Sequence, residues 1–202
     1  MKVSLSGLAL AAFMVIAVQS PAFAHHPMDG KLPATLIEGL LSGLGHPVIG
    51  LDHLAAIVGV GILAAIAARG VAPVLAFGVA LIAGVALHVA KVSLPAGELL
   101  VGLSTLVIGG LVMLRYGLRP VIAIALFAVA GFVHGYALGE AVVGAEASPL
   151  ISYLAGILVI QTVISLTAYL AVCRLSRPLT VAVGALVVLA GGVTAAAAAA
   201  LI

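Results

Sequence analysis

His46-Pro47-Val48-Ile49-Gly50-Leu51-Asp52-His53 brings two imidazoles and a carboxylate together at the start of a long apolar segment. Only 7% of the chain is charged, and placing a charged side chain in a bilayer costs about 3 kcal/mol even on a lenient scale. Such residues usually mark the path of an ion or a substrate. Imidazole and carboxylate groups without a nearby thiolate suit divalent metals such as nickel, cobalt, copper or zinc. The stretch therefore predicts a metal site at membrane depth, with His46, Asp52 and His53 as ligands.

Two residues inside this stretch predict a break in the helix. Pro47 has no backbone N–H and disfavours helical geometry at His46, so we expect a helix to restart with Pro47 in its first turn. Gly50 permits close approach of a backbone or an ion. In a regular restarted helix, Asp52 and His53 lie about 100° apart. Transporters often build ion sites on broken helices. The alternative is a buried hydrogen-bonded network that only fixes the break.

The composition indicates an all-α membrane protein. The 202-residue chain is 65% hydrophobic, and its mean hydropathy of +1.42 is far above that of a soluble domain. Several apolar runs reach the roughly 20 residues that a membrane-spanning helix needs. We predict a bundle of six transmembrane helices whose first helix is broken or re-entrant, with a half-helix over 34–44 leading into it. The predicted spans are 47–68, 71–90, 95–114, 120–138, 149–172 and 178–202.

The first 24 residues have the pattern of a cleaved signal peptide. Lys2 supplies the charged start, an apolar run covers 8–18, and the segment ends in Ala22-Phe23-Ala24. A retained first helix is the alternative. Cleavage leaves one transmembrane domain, 25–202, that begins with His25 and His26. A free amine beside these two histidines could capture a metal ion, or the terminus could simply be polar.

The charged residues orient the predicted bundle. A cleaved signal places the mature N-terminus outside, and six spans then send every mature arginine to the cytoplasmic side, as the positive-inside rule requires. The acidic residues and the histidines all fall on the outer side, where negative charge would concentrate cations. The outer carboxylates are Asp29, Glu38, Asp52, Glu98, Glu140 and Glu146, and the histidines are His25, His26, His46, His53, His88 and His134.

The opening stretch also resembles a family signature. It is similar to HPxxGxDH, the signature of the HupE/UreJ family of nickel and cobalt permeases. A second family element, roughly FHGxAHGxE, resembles the stretch from Phe132 to Glu140, in which Val133 intervenes and Leu138 replaces a second histidine. The resemblance implies a multi-pass permease of the bacterial inner membrane that imports Ni²⁺ or, next, Co²⁺. It also implies supply of a metalloenzyme pathway such as a hydrogenase or a urease.

Four residues beyond the opening stretch are further candidates for the metal path. We expect His134 to complete the metal sphere and Glu140 to act as a ligand or as a carboxylate at the mouth. His88 is a lone histidine on an apolar helix, for which a hydrogen-bonded or interface role is the simpler interpretation. Glu98 could be a ligand, a proton acceptor, or the acidic first turn of a helix, where negative charge is favoured.

Other polar residues on the spans have simpler interpretations. The tyrosines, including Tyr153, are interpreted as interface anchors or packing residues. Four side chains of the fifth span either line a polar path or form hydrogen bonds between helices, and the second role is simpler. They are Gln161, Thr162, Ser165 and Thr167.

The opening stretch, the charge distribution and the family resemblance together favour a permease that transports Ni²⁺ or Co²⁺. The chain has no P-loop and no soluble nucleotide domain, so ATP is not expected to drive it directly. We expect no organic cofactor and no nucleic-acid partner, because the net charge is only +2. The expected partners are the metal ion and the lipid bilayer, and a homo-oligomer is left open. Three alternatives stay open: a copper or zinc transporter, a membrane metalloenzyme with Asp52 or Glu140 as general base, and a metal-binding accessory protein for metalloenzyme maturation.

We predict that the protein is not an enzyme, since the sequence lacks the H-E-x-x-H pattern of zinc-dependent hydrolases.

Overall fold

The computed structural model describes residues 31–68 and 70–200, and this part of the chain is helical, without strands. The signal peptide predicted over 1–24 and the pair His25 and His26 lie outside the described residues. Seven α-helices are present in the described part. They are α1 (Leu36–Ile49), α2 (Leu51–Leu63), α3 (Ala72–Val89), α4 (Gly97–Leu114), α5 (Pro120–Gly139), α6 (Ala147–Ala171) and α7 (Arg177–Ala199).

Five of these helices, α3 to α7, are long and apolar enough to cross a membrane. Each begins within two residues of its predicted start. The pair α1 and α2 passes the same test only when taken together, and it is bent by 80°. The described residues therefore hold five single spans, or six if the bent pair is one broken span.

The break between α1 and α2 lies at Gly50, so the prediction of a break at Pro47 is wrong. Helix α1 continues through Pro47 to Ile49, and Gly50 then adopts an extended conformation (φ −73°, ψ 101°). His46 consequently lies in the last turn of α1 and not at a helix start. Packing overrides the local preference here, because Gly39 and Gly43 bring α1 against the backbone of α6, and His46 also bonds to Tyr153 on that helix. Asp52 and His53 lie in the first turn of α2, as expected.

Glycines allow three pairs of helices to pack closely: α1 with α6, α3 with α5, and α4 with α7. On α5, Gly131 and Gly135 lie against the backbone carbonyls of Phe77 and Leu81, so a Cβ at either glycine would collide with α3. Small residues at four-residue spacing serve this purpose in membrane helices generally. The remaining helix, α2, packs against α4, α6 and α7 and carries its buried side chains into the middle of the bundle.

The helix directions place the exposed carboxylates and the described arginines at opposite ends of the bundle, and Lys31 and Lys91 lie with the carboxylates. Helices α3 and α5 run parallel, and α4 and α7 run antiparallel, so the carboxylates and the arginines fall at opposite ends of the bundle. We call these the acidic end and the arginine end. The acidic end carries Glu38, Glu98, Glu140 and Glu146, and the arginine end carries Arg115, Arg119, Arg174 and Arg177.

Candidate metal site

Three helices bring His46, Asp52, His53 and His134 together inside the bundle. These four residues, here the histidine cluster, are between 1% and 3% exposed. His46 comes from the end of α1, Asp52 and His53 from the start of α2, and His134 from the last third of α5. The helix break at Gly50 is what allows α1 and α2 to present these side chains to one region.

His53 and His134 share a short hydrogen bond between their Nδ1 atoms. The two atoms lie 2.8 Å apart, and the ring centroids are 5.0 Å apart. Since a hydrogen bond needs one donor and one acceptor, one ring carries its proton on Nδ1 and the other carries a lone pair there. The pair therefore holds a single proton between two nitrogen atoms.

Two hydroxyls on α4 decide which ring donates. Ser104 and Thr105 both donate to the carbonyl of Val101, at 2.9 Å each. Their oxygen atoms lie 3.2 and 3.3 Å from Nε2 of His134 and so accept from it. With its proton on Nε2, His134 has its lone pair on Nδ1, and His53 is the donor of the shared bond.

His46 is oriented by a second hydrogen-bonded chain. The hydroxyl of Tyr153 donates to the carbonyl of Leu138 at 2.6 Å, so at 2.8 Å it accepts from Nδ1–H of His46. This fixes the lone pair of His46 on Nε2. The ring of His46 lies edge-on to His53, with 6.1 Å between centroids. Leu138, which replaces the family's second histidine, contributes through its backbone.

Asp52 places a carboxylate at the N-terminus of α2. Its Oδ1 accepts a hydrogen bond of 2.9 Å from the backbone N–H of His53. Negative charge is favoured at a helix N-terminus, because the helix dipole is positive there. The carboxylate therefore lies beside the imidazoles in a region that excludes water.

The other predicted residues lie outside this cluster. His88 is half-buried near the acidic end, where its Nδ1–H donates to the carbonyl of Tyr136 at 2.6 Å and its ring stacks on Tyr136 at 4.2 Å. Glu98 and Glu140 are exposed at the acidic end. The structure thus brings the three predicted residues of the opening stretch together with His134. It places His88, Glu98 and Glu140 elsewhere.

Sequence reasoning missed the residues that hold the imidazoles in place. Tyr153 is fully buried in the core, so the prediction of a packing residue is confirmed and that of an interface anchor is wrong; its hydrogen bond to His46 was not predicted. Ser104 and Thr105 were not singled out, although adjacent hydroxyls in an apolar helix are a visible signal. Phe77, whose ring centroid is 5.8 Å from that of His134, gives no such signal.

The donor set suits a divalent metal in chemistry but is not preassembled. Among the described residues, no group of three or more His, Cys, Asp or Glu side chains is arranged to hold a metal ion. The Nδ1 atoms of His53 and His134 are nevertheless 2.8 Å apart, the separation of two ligands at right angles around an ion with bonds of about 2.0 Å. Further ligands would require side-chain movement within the cluster.

One of three comparisons with known proteins gives a match, and that match agrees with the family signature in the opening stretch. No curated protein and no solved structure matches the chain. The family model described as HupE / UreJ protein matches residues 12–201, which is nearly the whole sequence. Several long apolar helices and this match make it a multi-pass membrane protein with a metal-related function. The chain belongs to the HupE/UreJ family.

Proposed function

We propose that this protein is a permease that imports a divalent transition metal, Ni²⁺ first and Co²⁺ next, across the bacterial inner membrane. The observation that supports it most directly is the buried histidine cluster at a helix break, within the helices of a membrane protein. Buried ionisable groups at membrane depth are costly and usually mark an ion path. Borderline divalent metals prefer imidazole nitrogen together with carboxylate oxygen.

The charge separation supports an orientation with the acidic end outside. The arginines at the other end would then face the cytoplasm, in agreement with the positive-inside rule. The exposed carboxylates Glu98 and Glu140 would raise the local concentration of cations at the mouth. In a chain cleaved after Ala24, His25 and His26 would add imidazoles to the same side.

Within the cluster, the metal would take the place of the shared proton. His134 offers the lone pair of Nδ1 at once, whereas His53 must first move its proton from Nδ1. Metal capture is therefore coupled to a proton shift on His53 from Nδ1 to Nε2, and it requires neutral imidazoles, because histidine binds metal in its deprotonated form. Asp52 would compensate the charge of the ion, and His46 would offer the lone pair of Nε2 as a further nitrogen.

The hydrogen-bonded residues around the cluster would set ligand geometry. Tyr153 holds the tautomer of His46, and Ser104 and Thr105 hold that of His134. Outer partners of this kind orient metal-binding imidazoles and raise their basicity. The chain has no nucleotide motif, so uptake would be driven by the metal gradient or by a coupled ion.

Uptake of trace Ni²⁺ and Co²⁺ by metal-starved cells tests the proposal. Cells express the wild type, His53→Ala or His88→Asn, with excess Mg²⁺ present and an empty-vector control. We expect uptake by the wild type and by His88→Asn, and uptake at the level of the empty vector for His53→Ala. Competition by Cu²⁺ and Zn²⁺ reports metal preference. Wild-type uptake equal to the empty vector would contradict the permease and favour an accessory protein that binds metal without transporting it.

A further inference from the structure

Gln161 is a buried amide in the middle of α6, and the role proposed for the histidine cluster does not explain why a polar side chain lies there. Its side chain is 3% exposed. Its Oε1 atom is buried and has no hydrogen-bond partner within residues 31–68 and 70–200. A buried acceptor without a donor costs free energy, so native proteins rarely keep one without a reason. Ser165, one turn further along, shows the usual solution, because its hydroxyl donates to the carbonyl of Ile57 at 3.0 Å.

Gln161 lies on the same face of α6 as the residue that orients His46. Tyr153, Ile157, Gln161 and Ser165 follow one another at four-residue spacing, and all four are buried. Residues at this spacing lie on one side of a helix. The eight residues from Tyr153 to Gln161 correspond to about 12 Å along the axis. Gln161 is therefore placed toward the arginine end from the contact between Tyr153 and His46.

Helix α3 connects Gln161 to the histidine pair. The ring of Phe77 lies 5.8 Å from that of His134. The next residue, Gly78, faces Gln161 so closely that an added Cβ would lie 2.8 Å from its Nε2. The residue that follows His134 packs against Leu81, three residues further along α3 than Gly78. At about 1.5 Å per residue along a helix, the amide therefore lies about 5 Å closer to the arginine end than His134 does.

We propose that the amide oxygen of Gln161 is a second contact for the transported divalent cation, on the arginine-end side of the histidine cluster. This assignment rests on the proposed transport function. A neutral amide oxygen can contact a cation or one of its remaining water ligands, and it holds a transition metal less tightly than an imidazole pair does. Conduction requires such weaker sites, because an ion must leave each site as readily as it arrives.

The test compares Gln161→Leu with the wild type in cells and in purified form. Leucine keeps a side chain of similar size and removes the unpartnered amide. We expect the maximal rate of Ni²⁺ uptake to fall about tenfold, the order of one hydrogen bond to a charged group. The dissociation constant for Ni²⁺ of the purified protein should stay near the wild-type value, because the histidine cluster is intact. The thermal midpoint should be unchanged or higher, since an unsatisfied polar group has been replaced by an apolar one.

Thr167→Val is the matched control on the same helix. Thr167 is exposed, and its hydroxyl donates to the carbonyl of Val163 in its own helix at 2.7 Å. This variant should transport like the wild type. Wild-type uptake together with an unchanged rate for Gln161→Leu would overturn the role of Gln161 while leaving the permease intact. A slower rate accompanied by a lower thermal midpoint would also overturn it, because the amide would then be structural. Absence of wild-type uptake would overturn both proposals.

Gly78→Ala supplies an independent variant that leaves Gln161 in place. The new methyl group would lie 2.8 Å from the amide nitrogen, so the amide, which is the flexible end of a side chain, must shift. If the amide contacts the ion, this shift should alter the ratio of Ni²⁺ to Co²⁺ uptake. Combined with Gln161→Leu, the effect of Gly78→Ala should disappear, and additive effects of the two substitutions would contradict the proposal.

Discussion

His134 and His88 lie on two helices that pack face to face, yet their surroundings differ in kind. Each uses Nδ1 in a short hydrogen bond, 2.8 Å for His134 and 2.6 Å for His88. The partner of His134 is another imidazole, whereas the partner of His88 is the backbone carbonyl of Tyr136. A proton shared by two nitrogens can be replaced by a metal ion. At His88 the Nδ1 position is closed, because its proton is held by a carbonyl; only Nε2 keeps a lone pair there, and the ring that it packs on is that of Tyr136.

Burial separates the two histidines in the same way. His134 is 1% exposed and is contacted by hydroxyls from α4. His88 is half-buried, stacks on Tyr136 and lies at the last turn of α3. We therefore propose a packing role for His88, in which it joins the end of α3 to α5, and a metal-binding role for His134. The comparison teaches that burial beside a second imidazole distinguishes a candidate metal ligand from a histidine that only lies near the mouth of the bundle.

The largest effect is expected for His134→Ala. Removing one of two Nδ1 atoms leaves His53 without its partner and eliminates the site for the shared proton or metal. We expect uptake to fall by more than about a hundredfold, beyond the range of outer-shell changes. The measurement is initial-rate uptake of Ni²⁺, with protein amounts equalised by immunoblot. Uptake above a tenth of the wild-type rate would remove His134 from the path.

Tyr153→Phe should have the next largest effect. The substitution removes the hydroxyl that accepts from His46 and donates to Leu138, so the ring of His46 loses its fixed tautomer. Loss of such an outer partner should weaken Ni²⁺ binding about tenfold. Calorimetry on purified protein measures this, with Tyr169→Phe on the same helix as the control. Equal affinities for the two variants would show that Tyr153 only fills space.

Gly135→Ala tests the close packing of α3, which carries His88, against α5, which carries His134. A Cβ at this position would collide with the carbonyl of Leu81, and neither backbone can give way without separating α3 from α5. We expect a loss of about 1–3 kcal/mol in the free energy of unfolding, as for other overpacked sites. Unfolding in detergent measures it. Gly110→Ala is the control, since nothing lies within 4 Å of the added methyl, and it should be neutral or up to about 1 kcal/mol more stable.

The smallest effect is expected for His88→Asn. The amide N–H of asparagine can replace Nδ1–H as donor to the carbonyl of Tyr136, so the helix contact is kept. Uptake should change by less than about twofold, as is usual for substitutions away from a site. A loss comparable to that of His134→Ala would break the distinction between the two histidines and place His88 on the ion path.

Much of the fold could be predicted because apolar length and proline position are local signals. Pro120 begins α5 as predicted, and Pro178 lies in the first turn of α7. The histidine cluster could be predicted in part for the same reason, since His46, Asp52 and His53 are close in sequence. His134 was predicted as a further ligand of the metal sphere, but its direct contact with His53, across 81 residues of sequence, was not predicted.

The remainder depended on tertiary contacts that no local pattern contains. Helix α1 continues through Pro47 because α6, about a hundred residues later, packs against Gly39 and Gly43 and also bonds to His46 through Tyr153. Ser104 and Thr105 become partners of His134 only when α4 packs beside α5. Propensity describes what a segment prefers alone, and packing between distant helices decided the outcome at these positions.

X-ray absorption spectroscopy of the Ni²⁺-loaded protein tests the central claim most directly. The sample carries His25→Ala and His26→Ala, so that the terminal histidines cannot contribute. We expect scattering from at least two imidazoles at about 2.0–2.1 Å, the distance found for zinc–histidine bonds, and loss of one imidazole in His134→Ala. A shell of oxygen atoms alone, unchanged by His134→Ala, would contradict metal binding by the histidine cluster.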